Sequence, residues 1–136
     1  MGYTNYWTPK KMTSVDENFF KDAEKIINYA ISNGIVLADG AGETKIANAK
    51  EAVDYEYNEI VFNGYKDEDY ETFSLSFDGE WNFCKTARLP YDQVVKAILI
   101  LAERHNLLEK PFNFDGDKGE KEYTNALALY RKALAD

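Results

Sequence analysis

Phe83-Cys84-Lys85-Thr86-Ala87-Arg88-Leu89-Pro90-Tyr91-Asp92 reads as the point where a strand runs into a helix. Upstream, Asp78-Gly79 makes a turn and residues 81–87 have the composition of a strand. Downstream, Pro90 suits the first turn of a helix, where its missing N–H is not needed. In an extended strand Cys84, Thr86 and Arg88 project to one side and Lys85 and Ala87 to the other. Lys85 and Arg88 therefore converge only where the strand ends or bends near Ala87. Arg88 offers a planar fork for a phosphate or carboxylate, and the first N–H groups of the helix add a favourable partial charge. The junction is the first place to look for an anionic ligand. In the structural alternative Arg88 pairs with Asp92 or Glu103, and Thr86 merely satisfies a backbone group.

Working outward, residues 91–107 form a helix that is apolar on more than one side. Val94, Val95, Ile98, Leu101 and Ala102 make one stripe, while Ala97, Leu99 and Ile100 spread around it. Such a helix is sandwiched, either between the sheet and a C-terminal helix or against a second copy in a homo-oligomer. Residues 111–119 read as a loop. Residues 120–135 read as a last helix, with Tyr123, Ala126, Leu127, Tyr130 and Leu134 on one face. Before the junction, residues 59–62 and 71–77 pair as a hairpin around an Asn63-Gly64 turn signal, with Phe73, Leu75 and Phe77 on one face.

Near the N-terminus, residues 2–8 alternate as a short strand closed by Pro9. Ser14 with Glu17 matches a capping box. The helix that follows places Phe19, Phe20, Ala23, Ile26, Ile27 and Ala30 at helical spacing and stops at Asn33-Gly34. Residues 35–37 are a short buried strand, and residues 44–57 read as strand or irregular. The expectation is one α+β domain over residues 1–136. It has a mostly antiparallel sheet of about four to five strands packed with three helices, in the order β-α-β-β-β-β-α-α.

The composition limits the function. A formal net charge of -8 argues against general nucleic-acid binding, which relies on broad basic surface. An acidic surface rich in rings, with ten tyrosines and eight phenylalanines, could instead dock on a basic host protein. The single cysteine leaves no internal disulfide, so the chain reads as cytoplasmic, and Cys84 with the lone His105 falls short of a structural zinc site. No secretory signal is expected at the N-terminus, and the apolar run 97–102 is far short of the ~20 residues that span a bilayer. No cofactor and no membrane contact are expected.

Individual motifs are weaker than they look. Asp39-Gly40-Ala41-Gly42 precedes Glu43, whose charge repels a phosphate, so it reads as a plain turn. Lys66-Asp67-Glu68-Asp69 reads as a solvated loop. Asp115-Gly116-Asp117 lacks the glycine and the closing glutamate positions of a calcium loop. His105 reads as structural, and Cys84 as a buried strand cysteine whose alternative role is a nucleophile beside Lys85.

Gly2-Tyr3-Thr4-Asn5-Tyr6-Trp7, together with the 83–92 stretch, resembles a family of small proteins found in phages, large DNA viruses and some bacteria. Members commonly open with Gly-Tyr-Thr-His-Tyr-Trp, and this chain has Asn5 in place of the histidine. The resemblance supplies no activity, and the substitution weakens any histidine-based mechanism. It implies a viral accessory protein in a host cytoplasm, and it places Thr4, Tyr6 and Trp7 beside Cys84, Thr86 and Arg88 by strand pairing. An aromatic wall from Tyr6, Trp7 or Tyr91 beside Arg88 and Lys85 would suit a nucleotide. The expected ligand-binding set is thus Thr4, Tyr6, Trp7, Lys85, Thr86, Arg88, Tyr91 and Asp92. The expected function is non-enzymatic binding of a small anionic, nucleotide-like molecule, such as a sequestered host signal. The alternatives are an enzyme on a phosphorylated small molecule, with Cys84 or Asp92 reacting, and an acidic antagonist of a host protein.

Overall fold

The computed structural model describes residues 2–135, which form an α+β fold of three helices and two antiparallel sheets. The first sheet has strand β1 (Thr4–Trp7) at its centre. It is flanked by β6 (Asn82–Lys85) and by β7 (Asn113–Phe114) from the stretch expected to be a loop. The second is built on β4 (Glu59–Gly64), which pairs with β2 (Leu37–Ala38), β3 (Val53–Asp54) and β5 (Phe73–Leu75). The single sheet of the sequence reading is therefore two. The ambiguous 44–57 segment supplies a short 3-10 turn, Ala49–Glu51, and then β3.

Helix α1 (Glu17–Ser32) buries the predicted face of Phe19, Phe20, Ala23, Ile26, Ile27 and Ala30. Its cap is Asp16, whose carboxylate accepts the Asn18 N–H at 2.9 Å. The predicted Ser14–Glu17 box does not form, because Glu17 is already the first helical residue and Ser14 lies upstream of the cap. The chain leaves the helix through Gly34 at φ 91°, in the left-handed region glycine tolerates.

Asn63-Gly64 is not a turn but the end of β4. The Asn63 amide ties down the following loop by accepting the Tyr70 N–H and donating to the Tyr70 and Gly40 carbonyls. Gly64 is required there because any Cβ would collide with the Glu68 carbonyl. Helix α2 (Asp92–Arg104) packs against both α1 and α3 (Lys121–Leu134), and Val94 through Ala102 are all buried. Its apolar surplus is thus used inside the chain, which removes the reason for expecting a homo-oligomer on that helix. Among the described residues no helix is long and apolar enough to cross a membrane.

Candidate functional site

Antiparallel pairing of β1 with β6 sets Thr4 opposite Lys85, Asn5 opposite Cys84, Tyr6 opposite Phe83 and Trp7 opposite Asn82. The two motifs at the ends of the chain are therefore neighbours. Because side chains alternate along a strand, this register sorts them onto two faces. Asn5, Trp7 and Cys84 face inward, while Tyr6, Phe83 and Lys85 face outward.

The inward face meets α2 in a closed polar cluster. Asp92 Oδ1 accepts from Thr86 Oγ1 at 2.7 Å and from Asn5 Nδ2 at 2.9 Å. Asp92 Oδ2 accepts from Lys96 Nζ at 2.8 Å. Lys96 is fully buried, with its ammonium 4.2 Å from the Tyr3 ring centroid and 4.8 Å from that of Phe114. Burial pulls the Lys96 ammonium below its ordinary range, while the Asp92 carboxylate works the other way. A buried ion pair with further donors on the carboxylate holds strand and helix in one arrangement. Burial also pushes the Cys84 thiol up to about 12, which leaves it protonated and unsuited to nucleophilic attack at neutral pH.

Strand β6 ends at Lys85, and the chain turns through Ala87 and Arg88 at φ 53° and 61°. The Leu89 N–H donates to the Thr86 carbonyl at 3.0 Å, which closes the turn. Two successive left-handed residues without glycine are unusual, and they are held by the Thr86 anchor in the cluster. The bend sends Arg88 towards α3, where its guanidinium meets Glu122 at 3.0 Å and Glu120 at 3.6 Å and lies 4.2 Å from the Tyr3 ring centroid. Those carboxylates, and neither Asp92 nor Glu103, are its partners. A cleft of about 230 Å³ opens beside it, lined by Arg88, Pro90, Asp92, Gln93, Lys121 and Glu122 among others. Glu122 already occupies the fork an anion would take.

The outward face is different. Tyr6 and Trp81 stack with centroids 6.1 Å apart and 20° between their planes, and Phe83 follows 5.4 Å from Trp81. Trp81 is 58% exposed and Phe83 39%. A groove of about 280 Å³ runs beside them, lined by Tyr6, Trp7, Thr8, Trp81, Lys110, Pro111 and Asn113. The Tyr6 hydroxyl donates to Asp115 at 2.8 Å, and the same carboxylate accepts the Thr4 N–H at 3.0 Å, so the ring is held in place.

The expected binding set is thus divided. Thr86 and Asp92 belong to the buried cluster, Arg88 to the α3 cleft, and Tyr6 to the aromatic groove, while Thr4 is covered by Asp115. Trp7 touches the groove but buries its ring against Phe73, with centroids 5.3 Å apart. Tyr91 forms no wall: it is buried, and its hydroxyl donates to the Glu71 carbonyl at 2.6 Å. Lys85 lies exposed beyond Phe83 and lines neither cavity. The sequence reading missed Lys96 and Trp81. A lysine four residues after Asp92 inside an apolar helix was the available signal for the first. Comparison with family models, curated proteins and solved structures finds no match to this chain.

Proposed function

We propose that the protein binds a small anionic, nucleotide-like molecule without turning it over, and that the seat is the Tyr6–Trp81 groove. The observation that carries this reading is the near-parallel pair of rings, one of them largely exposed, in a groove that Lys110 and Asn113 also line. A planar base gains stacking energy on such rings regardless of its identity, and a lysine at the rim takes the phosphate as a point charge. The groove is smaller than the roughly 300 Å³ at which pockets for drug-sized ligands begin, which favours a compact ligand that stays partly in solvent. The viral resemblance gives this binder its setting, that of an accessory protein removing a host nucleotide signal.

Of the two tryptophans Trp81 is the exposed one, while Trp7 is buried but lines the same groove, so a Trp81→Phe protein separates their signals. Titration with mononucleotides is expected to quench the wild-type emission saturably and to leave the Trp81→Phe protein nearly unchanged. Unaltered emission together with no heat of binding by calorimetry would sink the reading.

A further inference from the structure

The aromatic row does not end at the groove. Phe83, directly opposite Tyr6 in the register, packs 5.4 Å from Trp81, and exposed Lys85 and Lys110 lie towards the two ends of this face. Lys85 is level with Thr4, and Lys110 follows Glu109, whose N–H donates to the Thr8 carbonyl. Four residues of extended chain separate those levels, about 14 Å at ~3.4 Å per residue. Neither lysine makes an ion pair among the described residues, although the Glu71 carboxylate accepts the Lys85 backbone N–H at 2.8 Å. A mononucleotide presents one base and one phosphate group, and so uses one ring pair and one lysine.

We infer that the ligand is a dinucleotide, with one base on Tyr6 and Trp81, the second on Phe83, and its two phosphates shared between Lys110 and Lys85. This rests on the nucleotide-binding reading and extends it from one half of the outward face to the whole. Two exposed rings, Trp81 and Phe83, with the half-buried Tyr6 beside them on one sheet face, match a short stretch of stacked bases with its backbone alongside. The -8 charge of the whole chain limits the length of that backbone. A longer nucleic acid would bring phosphates against acidic surface.

The test is calorimetry on wild type, Phe83→Ala and Lys85→Gln with two panels, the four mononucleotide 5′-phosphates and the four 5′-phosphorylated homodinucleotides, each dinucleotide in linear and cyclic form. Both substitutions are at exposed positions, and matching melting temperatures verify folding. At least one dinucleotide is expected to bind tenfold or more tighter than the best mononucleotide. Each variant should erase most of that advantage and leave mononucleotide affinity within twofold. Equal affinity for both panels, unaffected by Phe83→Ala, would overturn the dinucleotide inference and leave the simpler binding reading standing. Binding of neither panel to folded wild type would overturn both. So would a dimer in sedimentation that Trp81→Ala dissociates, since a second copy would then occupy the face.

Discussion

The two faces of the β6-β1-β7 sheet come from alternate residues of the same strands and do opposite work. Inward, Asn5, Thr86, Asp92 and Lys96 bind one another in a buried cluster with both oxygens of Asp92 engaged, although Asn5 Oδ1 finds no partner among the described residues. Outward, Tyr6, Trp81 and Phe83 leave ring surface in water, and Lys85 and Lys110 stand at the rim. Polar residues in a sequence suggest chemistry, yet here the polar face is the structural one. The proposed binding uses the aromatic face. The lesson is that satisfaction decides: a buried group whose hydrogen bonds are made has nothing left for a ligand.

The largest effect that would sharpen this contrast is Asp92→Ala. It strands the Lys96 ammonium in the core, and loss of one partner of a buried pair costs about 3–5 kcal/mol. Urea unfolding should show that loss in the midpoint, and a double Asp92→Leu, Lys96→Met variant should recover much of it. A change below 1 kcal/mol would mean the cluster is wet and available to a ligand, reversing the assignment of the two faces.

Next in size is Trp81→Ala, which removes a stacking surface worth about 1–3 kcal/mol per base. Nucleotide affinity should fall tenfold or more by calorimetry, while stability stays within about 0.5 kcal/mol because the ring is mostly exposed. Equal loss of both quantities would make the outward face structural too.

Comparing wild type with Cys84→Ala at alkaline pH probes the inward face. The folded state holds the Cys84 proton with a pKa of about 12 against an ordinary 9.0, so this group's contribution to stability is whole below pH 9 and is lost as the pH rises towards 12. Burial raises the Tyr3 and Tyr91 hydroxyls in the same direction. The melting-temperature difference between wild type and Cys84→Ala should therefore shift against the wild type across that window. A difference independent of pH would mean that solvent reaches the thiol.

The smallest expected effect is that of Arg88→Ala. The guanidinium is spent on Glu122 and Glu120 at an exposed position, and such pairs contribute little. Nucleotide affinity should stay within twofold of wild type. A tenfold loss would move the ligand from the groove to the α3 cleft and break the comparison at its centre.

The sequence alone determined the three helices, the strand-to-helix junction and the α+β class, because hydrophobic period and turn residues are local signals that survive any packing. The face of α1 and its Asn33-Gly34 stop are cases where local pattern and final structure agree. Tertiary structure alone decided what the junction residues do. Two-residue strands such as β3 and β7 have no period to read, and they form only because a neighbour pairs with them. The alternation of β1 separated Tyr6 from Asn5, and the left-handed bend at Ala87 and Arg88 sent the arginine to carboxylates more than thirty residues away in the chain. A ligand site depends on which groups remain unsatisfied once the chain has closed on itself, and that is a property of contacts between distant residues.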